Sequence, residues 1–161
     1  IPTPFLDQGF AFVLSRLSQT QLAYLLFEQI SKFHDTHPYS EVIIYSINNE
    51  LPIVNPSTSI FPAASVGEHI GPVIATCPIT WNLVNSAYAD IQRFYYVFDP
   101  LMFKFLGPDV LRTIGESDFK FILRTKEHQN FLQQFVPASK IISDCVPDAN
   151  LEIIDSIVKA K

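Results

Sequence analysis

The chain has 161 residues, of which 48% are hydrophobic and 17% charged, and its net charge is −5. This length suits one domain with a complete core. No apolar run reaches the roughly 18 to 20 residues of a membrane helix. The Lys and Arg residues are scattered, which argues against a nucleic-acid surface. The low charge predicts a sheet buried on both faces and a further apolar face that a second domain or a protein partner covers.

The first half of the chain alternates β-rich apolar runs with one helical pattern. In chain order it predicts a strand in GFAFVLS (9–15), an amphipathic helix over 19–34, a strand in EVIIYSI (41–47), and a loop over 48–71 with a short strand near 59–61. Ser18 and Gln21 have the spacing of a capping box at the start of the helix.

The second half continues the alternation. In chain order it predicts a strand in GPVIATC (71–77), a helix over 81–89 capped by Thr80, a strand in RFYYVF (93–98), a short helix over 108–114, a strand in FKFILRT (119–125), a helix from a Thr125 cap to residue 135, a short strand in SKIIS (139–143), and a helix over 151–160. The helix starts rest on Ser, Thr and Pro at positions that favour them.

Strands and helices therefore follow each other at βαβ spacing, and several strands are apolar throughout rather than alternating. Both features are typical of a mostly parallel sheet with helices on each face. The sequence predicts one α/β domain over residues 1–161, a Rossmann-like three-layer domain with a sheet of about six strands.

Polar residues follow most of these strands, where such sheets bind their ligands. The predicted substrate-binding residues are Arg16, Ser18, Thr80, Asp99 and Arg124. Each has a purely structural alternative: the hydroxyl residues cap helices, the arginines form ion pairs with Asp99 or Asp144, and Asp99 starts a turn with Pro100.

Common catalytic and cofactor motifs are missing. The loop SRLSQ between the first strand and helix has no glycine, so it lacks the dinucleotide fingerprint GxGxxG, and no GxxxxGK[ST] or GxSxG occurs. The four histidines have neither HExxH nor a Cys/His ligand spacing. We therefore predict no metal site and no cofactor held by this chain.

The two cysteines, Cys77 and Cys145, are 68 positions apart and form no CxxC pair. Together with the lack of a signal-peptide pattern, they predict reduced thiols in a cytoplasmic protein, although a disulfide remains open.

Three stretches carry a resemblance to a known family. They are a strand, polar loop and long helix in GFAFVLSRLSQTQLAYLLFEQISKF, an aromatic strand ending in an acidic residue in RFYYVFDPLMF, and FKFILRTKEHQNFLQQF followed by ASKIISDCVPDANLE. In this order they resemble the N-terminal, acceptor-side domain of a GT-B glycosyltransferase.

The resemblance implies that Asp99 and the loops at Arg16 and Thr80 lie in a cleft facing a second domain, where a sugar acceptor binds. In that family the nucleotide-sugar donor is bound mainly by the C-terminal domain, so a donor implies a second domain. The family's glycine-rich first loop is missing here. We expect a glycosyltransferase-related domain that does not catalyse transfer alone, either part of a longer enzyme or a stand-alone relative.

Two other functions remain open because a fold does not determine a function. The low charge, the 12 prolines and the many aromatic residues suit a non-catalytic Rossmann-like interaction or structural module with a buried interface. An enzyme acting on a small nucleotide or sugar in the same crevice is the other alternative.

Overall fold

A six-stranded parallel sheet forms the centre of the protein, whose computed structural model describes residues 9–17, 20–48, 59–87 and 91–160. Its strands are β1 (Phe10–Leu14), β2 (Val42–Ser46), β3 (Ile60–Pro62), β4 (Val73–Ala75), β5 (Arg93–Val97) and β6 (Lys120–Leu123). They lie in the order β3-β2-β1-β4-β5-β6, and every neighbouring pair is parallel. This is the doubly wound Rossmann order, so the predicted fold class is confirmed.

Helices cover both faces of the sheet. They are α1 (Gln21–Thr36), α2 (Pro78–Asn85), α3 (Pro108–Glu116), α4 (His128–Leu132) and α5 (Leu151–Lys159). Short 3-10 helices occupy Ala63–Glu68, Pro100–Phe103, Ala138–Lys140 and Pro147–Ala149. None of the helices in the described part of the chain combines the length and apolar character that a membrane crossing requires.

Two apolar clusters, one on each face, hold the three layers together. Phe12 and Leu14 of β1 pack with α1 and α5 on one face. Ala11 and Val13 pack with α2, α3 and α4 on the other. Every residue of β1 is buried, as expected for a central strand whose side chains enter a core on both sides.

Two predicted elements near the C-terminus are wrong in type or length. The strand predicted at 139–143 is replaced by the 3-10 helix Ala138–Lys140, and only a single parallel bridge joins Phe121 to Ile141. The helix predicted from Thr125 to residue 135 is limited to α4, whose first residue is preceded by Glu127 without a side-chain cap. Its first N–H groups, those of His128 and Gln129, donate instead to the carbonyl oxygens of Thr125 and Lys126 in the preceding turn.

Two predicted helix starts also differ. Thr20 caps α1, because its Oγ1 accepts from the N–H of Ala23 at 3.2 Å, whereas Ser18 lies outside the described residues. The second helix, α2, begins at Pro78 rather than at residue 81, with Cys77 as its N-cap. Proline suits the first helical position because its fixed φ is helical and its missing N–H has no partner there anyway.

The chain turns sharply just before α5, and a core tyrosine holds that turn. The fully buried Tyr96 of β5 donates its hydroxyl to the carbonyl oxygen of Val146 at 2.5 Å and accepts from the N–H of Ala149 at 3.1 Å. Asp148 and Ala149 have φ values of 50° and 58°, a left-handed conformation that costs energy in residues with a Cβ. Burial raises the pKa of Tyr96 to about 12, so its hydroxyl remains a donor at neutral pH.

A buried histidine joins the loops before β1 and β4. The Nε2 of His69 lies 3.1 Å from the carbonyl oxygen of Gly9, and its Nδ1 lies 3.4 Å from the Tyr45 hydroxyl. A carbonyl only accepts, so Nε2 carries the proton and Nδ1 accepts from Tyr45. Burial lowers the pKa of His69, and its backbone contacts offset this only in part. The neutral form is therefore the one the fold prefers.

Candidate functional site

The carboxyl edge of the sheet is where a Rossmann-like domain binds its ligands. Three predicted site residues lie there: Arg124 directly follows β6, whereas Arg16 and Asp99 lie two positions after the last residues of β1 and β5. Thr80 lies in the first turn of α2, which follows β4 at the same edge. Four of the five predicted residues thus share this edge, and the fifth, Ser18, lies outside the described residues.

Thr80 is enclosed rather than presented to a ligand. Its side chain is fully buried, and its hydroxyl accepts from the N–H groups of Thr76 and Cys77, each at 3.0 Å. It donates in turn to the Cys77 carbonyl oxygen at 3.0 Å. One donor and two acceptor positions are all that a hydroxyl offers, so every one is used in joining β4 to α2.

Arg124 is held in place by three contacts. Its guanidinium carbon lies 4.0 Å from the centre of the Phe98 ring, and its Nη2 donates to the Oδ1 of Asp148 at 2.9 Å. Its backbone N–H donates to the carbonyl oxygen of Val97 at 3.3 Å. The predicted pairing of Arg124 with Asp99 or Asp144 is therefore wrong. The real partner, Asp148, is 24 positions away and reaches Arg124 only through the turn that Tyr96 fixes.

Asp99 has a structural role and also faces a cavity. Its Oδ1 accepts from the N–H of Leu101 at 3.0 Å, which caps the 3-10 helix Pro100–Phe103. The residue is half-buried, and it lines the cavity together with Arg124. The alternative of a turn residue is thus realised, while the second carboxylate oxygen is not used by the cap.

The cavity at this edge has a volume of about 380 Å³ and lies between the ends of β5 and β6 and the start of α1. It is lined by Thr20, Gln21, Leu22, Phe98, Asp99, Pro100, Met102, Arg124 and His128. In the described part of the chain, the buried Nδ1 of His128 has no hydrogen-bond partner. The site thus brings a cation, a carboxylate, an imidazole and a helix N-terminus to one place.

His128 was not among the predicted site residues, because the histidine spacings in the sequence were informative only about metal ligands. Nothing in the local sequence marks it as a cavity residue. Among the described residues, no group of three or more His, Cys, Asp or Glu side chains is arranged to hold a metal ion.

A larger cavity of about 560 Å³ lies at the opposite, amino edge of the sheet. Its lining includes Gly9, Glu41, Asp155 and Lys159. The lysine and Asp155 form an ion pair at 3.1 Å. Since ligands of doubly wound sheets bind at the carboxyl edge, the smaller cavity is the stronger candidate.

Exposed apolar side chains also lie at the carboxyl edge. Ile79 at the start of α2 is 65% exposed, and Phe105 after the 3-10 helix that follows β5 is 92% exposed. Leu101 and Met102 in that 3-10 helix are about half exposed. The strands that lead into these segments, β4 and β5, are neighbours in the sheet. The cavity with Asp99 and Arg124 in its wall and several exposed apolar side chains therefore occur on the same side of the domain.

Comparison of the chain with protein-family models, with curated proteins and with solved structures finds no match.

Proposed function

We propose that this chain is the acceptor-side domain of a GT-B-type glycosyltransferase, in which the carboxyl edge of the sheet faces a second domain. One observation carries the proposal: at the carboxyl edge, the Rossmann-order sheet has both a cavity lined by Asp99 and Arg124 and several exposed apolar residues. A domain that closes against another over a substrate cleft needs both features there. The cavity binds the acceptor, and the exposed apolar residues contact the second domain.

The loop between β1 and α1 indicates which domain binds the donor and which binds the acceptor. The segment between β1 and α1 contains no glycine that would let a pyrophosphate approach the backbone closely. We therefore assign the nucleotide-sugar donor to the second domain and only the acceptor to this one. A single such domain is not expected to transfer sugar.

Asp99 and Arg124 give the cavity its means of recognising a sugar. The unused carboxylate oxygen of Asp99 accepts hydrogen bonds from hydroxyl groups, and Arg124 supplies donors beside the flat face of Phe98. Hydrogen bonds to charged groups contribute about 1.5 to 3 kcal/mol each. Replacing the carboxylate should therefore weaken acceptor binding by about tenfold or more.

The test is saturation-transfer NMR with glucose, galactose, mannose and N-acetylglucosamine, first on the wild-type chain and then on Asp99→Asn. The asparagine retains an oxygen for the Leu101 N–H, so the cap and the fold should persist. Asp144→Asn is the matched control, because Asp144 is exposed and does not line the cavity. Absence of saturable binding of any of the sugars, or equal binding by the Asp99 and Asp144 variants, overturns the acceptor role.

A non-catalytic interaction module is the second candidate, and the exposure of Phe105 favours it. An aromatic ring that is 92% exposed contributes nothing to the core of the isolated domain. If association is the function, sedimentation should show that the wild-type chain self-associates and that Phe105→Ser is a monomer. A wild-type chain that sediments as a monomer at high concentration counts against this candidate.

A further inference from the structure

We propose that the cavity at the carboxyl edge is an oxyanion subsite, which takes the phosphate group of a phosphorylated, hydroxyl-bearing ligand such as a sugar phosphate. The proposal deepens the acceptor role and rests on it for the hydroxyl-bearing part of the ligand. The binding of the phosphate follows from the lining of the cavity itself.

Arg124 is the first group that points to an anion. Its guanidinium has five N–H donors in a planar fork that matches phosphate geometry, and the ion pair with Asp148 uses one of them. The side chain is only 27% exposed and is stacked on Phe98, so little freedom is left for it to lose on binding. Asp148 is 60% exposed, and an ion pair with such a group is weak enough for a phosphate oxygen to replace.

His128 is the second group. Within the described residues the buried Nδ1 of its ring has no hydrogen-bond partner, although burying an unpaired polar atom costs stability. The residue lines the cavity, but this nitrogen lies beneath the cavity surface, so the ring must rotate before the nitrogen contacts a ligand there. Phosphate oxygens accept from a protonated Nδ1, and a phosphate hydroxyl donates to an unprotonated one.

The start of α1 is the third. Thr20 provides the partners for the N–H groups of Ala23 and Tyr24, through its hydroxyl and its carbonyl oxygen. The N–H groups of Gln21 and Leu22 have no acceptor within the helix, and both residues line the cavity. The first turn of this 16-residue helix carries no acidic side chain, so its positive end is not neutralised from within.

Asp99 determines what else the ligand must carry. A carboxylate in the wall of the cavity repels a bare anion but accepts hydrogen bonds from hydroxyl groups. A ligand with a phosphate at one end and hydroxyls at the other satisfies both sides of the cavity. A volume of about 380 Å³ is within the range of small-molecule sites and has room for a monosaccharide phosphate.

The test is an NMR titration of the chain, at low ionic strength, with inorganic phosphate, glucose 1-phosphate and glucose as separate probes. We expect glucose 1-phosphate to bind more tightly than either of the others. Arg124→Gln should lower the affinity for both phosphate-containing probes about tenfold, and His128→Gln should lower it by a smaller factor. Asp99→Asn should weaken the binding of glucose 1-phosphate more than the binding of inorganic phosphate.

Matched controls separate the site from general charge. Arg112→Gln removes another arginine that is paired with an aspartate, at 2.6 Å on α3, and His34→Gln removes a histidine outside the cavity. Both should bind as the wild type does. Asp148→Asn keeps a residue that tolerates positive φ but removes the competing carboxylate. This variant should bind phosphate at least as tightly as the wild type. It therefore tests the site even if an Arg124 variant fails to fold.

Failure of this inference is distinguishable from failure of the acceptor role. Sugars that bind without any preference for their phosphates overturn the oxyanion subsite and leave the acceptor role intact. If inorganic phosphate binds as tightly as glucose 1-phosphate, the assignment of a sugar phosphate as the ligand is overturned. The support that this assignment gives to the acceptor role is then lost as well. Equal binding by Arg124→Gln and Arg112→Gln overturns the site altogether.

Discussion

The turn before α5 depends on one hydroxyl group, and Tyr96→Phe removes only that group. The ring, its packing and its edge contact with Phe98 remain. Two hydrogen bonds are lost, each worth about 1 kcal/mol net, and the carbonyl of Val146 and the N–H of Ala149 lose their tyrosine partner. Since Ala149 is held in a left-handed conformation, we expect a total loss of about 2 to 4 kcal/mol.

Tyr95 provides an unusually close control. It is the preceding residue on the same strand, it is equally buried, and its hydroxyl has no hydrogen-bond partner in the described part of the chain. Tyr95→Phe removes the same atom from the core on the opposite face of the sheet without breaking a hydrogen bond, so its free energy of unfolding should be unchanged or higher by about 1 kcal/mol.

Urea unfolding followed by circular dichroism measures both variants, with the slope m expected to be unchanged. For a domain of this size, the loss expected for Tyr96→Phe corresponds to a fall in Tm of about 4 to 16 °C. Equal stability of the Tyr95 and Tyr96 variants would refute the idea that Tyr96 holds the turn by hydrogen bonding.

Three further predictions concern other buried contacts. Thr80→Val should cost about 2 to 4 kcal/mol, because two buried N–H groups lose their acceptor, while Thr80→Ser should retain most of the stability in the same urea assay. Gly115→Ala should destabilise by about 2 to 3 kcal/mol despite its higher helix propensity, because the new Cβ would lie 1.7 Å from the carbonyl oxygen of Phe135. Gly67→Ala, where the new Cβ has no neighbour within 4 Å, should change stability by less than about 0.5 kcal/mol. Because the pKa of His69 is lowered in the fold, the unfolded chain binds its proton more readily, and stability should fall as the pH drops below about 6.5. His69→Gln should lose that part of the pH dependence, and an identical pH profile for both proteins would contradict the buried neutral histidine.

The sequence predicted the sheet well because its strands bury both faces. FAFVL has no polar position, and RFYYV has only Arg93 at its start, so neither run has the regular polar positions of a solvent-facing helix or an alternating strand. The short run SKIIS was mistaken for a strand because its two isoleucines have the same local pattern. Whether such a run pairs over its length or touches β6 at Ile141 alone depends on the rest of the chain.

The site was predictable only in part. A polar residue just after a parallel strand must lie at the carboxyl edge, so the positions of Asp99 and Arg124 followed from strand order alone. Their contacts did not, because Asp148 reaches Arg124 from a turn 24 positions further along the chain. The unpartnered nitrogen of His128 and its place in the cavity wall have no local sequence signal, since they depend on how the start of α1 packs beside β5 and β6.

The turn at Asp148 links the stability of the core to the chemistry of the cavity. Tyr96 fixes this turn from the buried side, and Asp148 extends from it to Arg124. The arginine does not depend on that ion pair for its position, because Phe98 supports its guanidinium and β5 binds its backbone N–H. A phosphate that replaces Asp148 therefore finds the guanidinium already in place and incurs little cost for ordering it. An exposed, exchangeable carboxylate on a preorganised arginine is the arrangement expected of a site that binds and releases an anion.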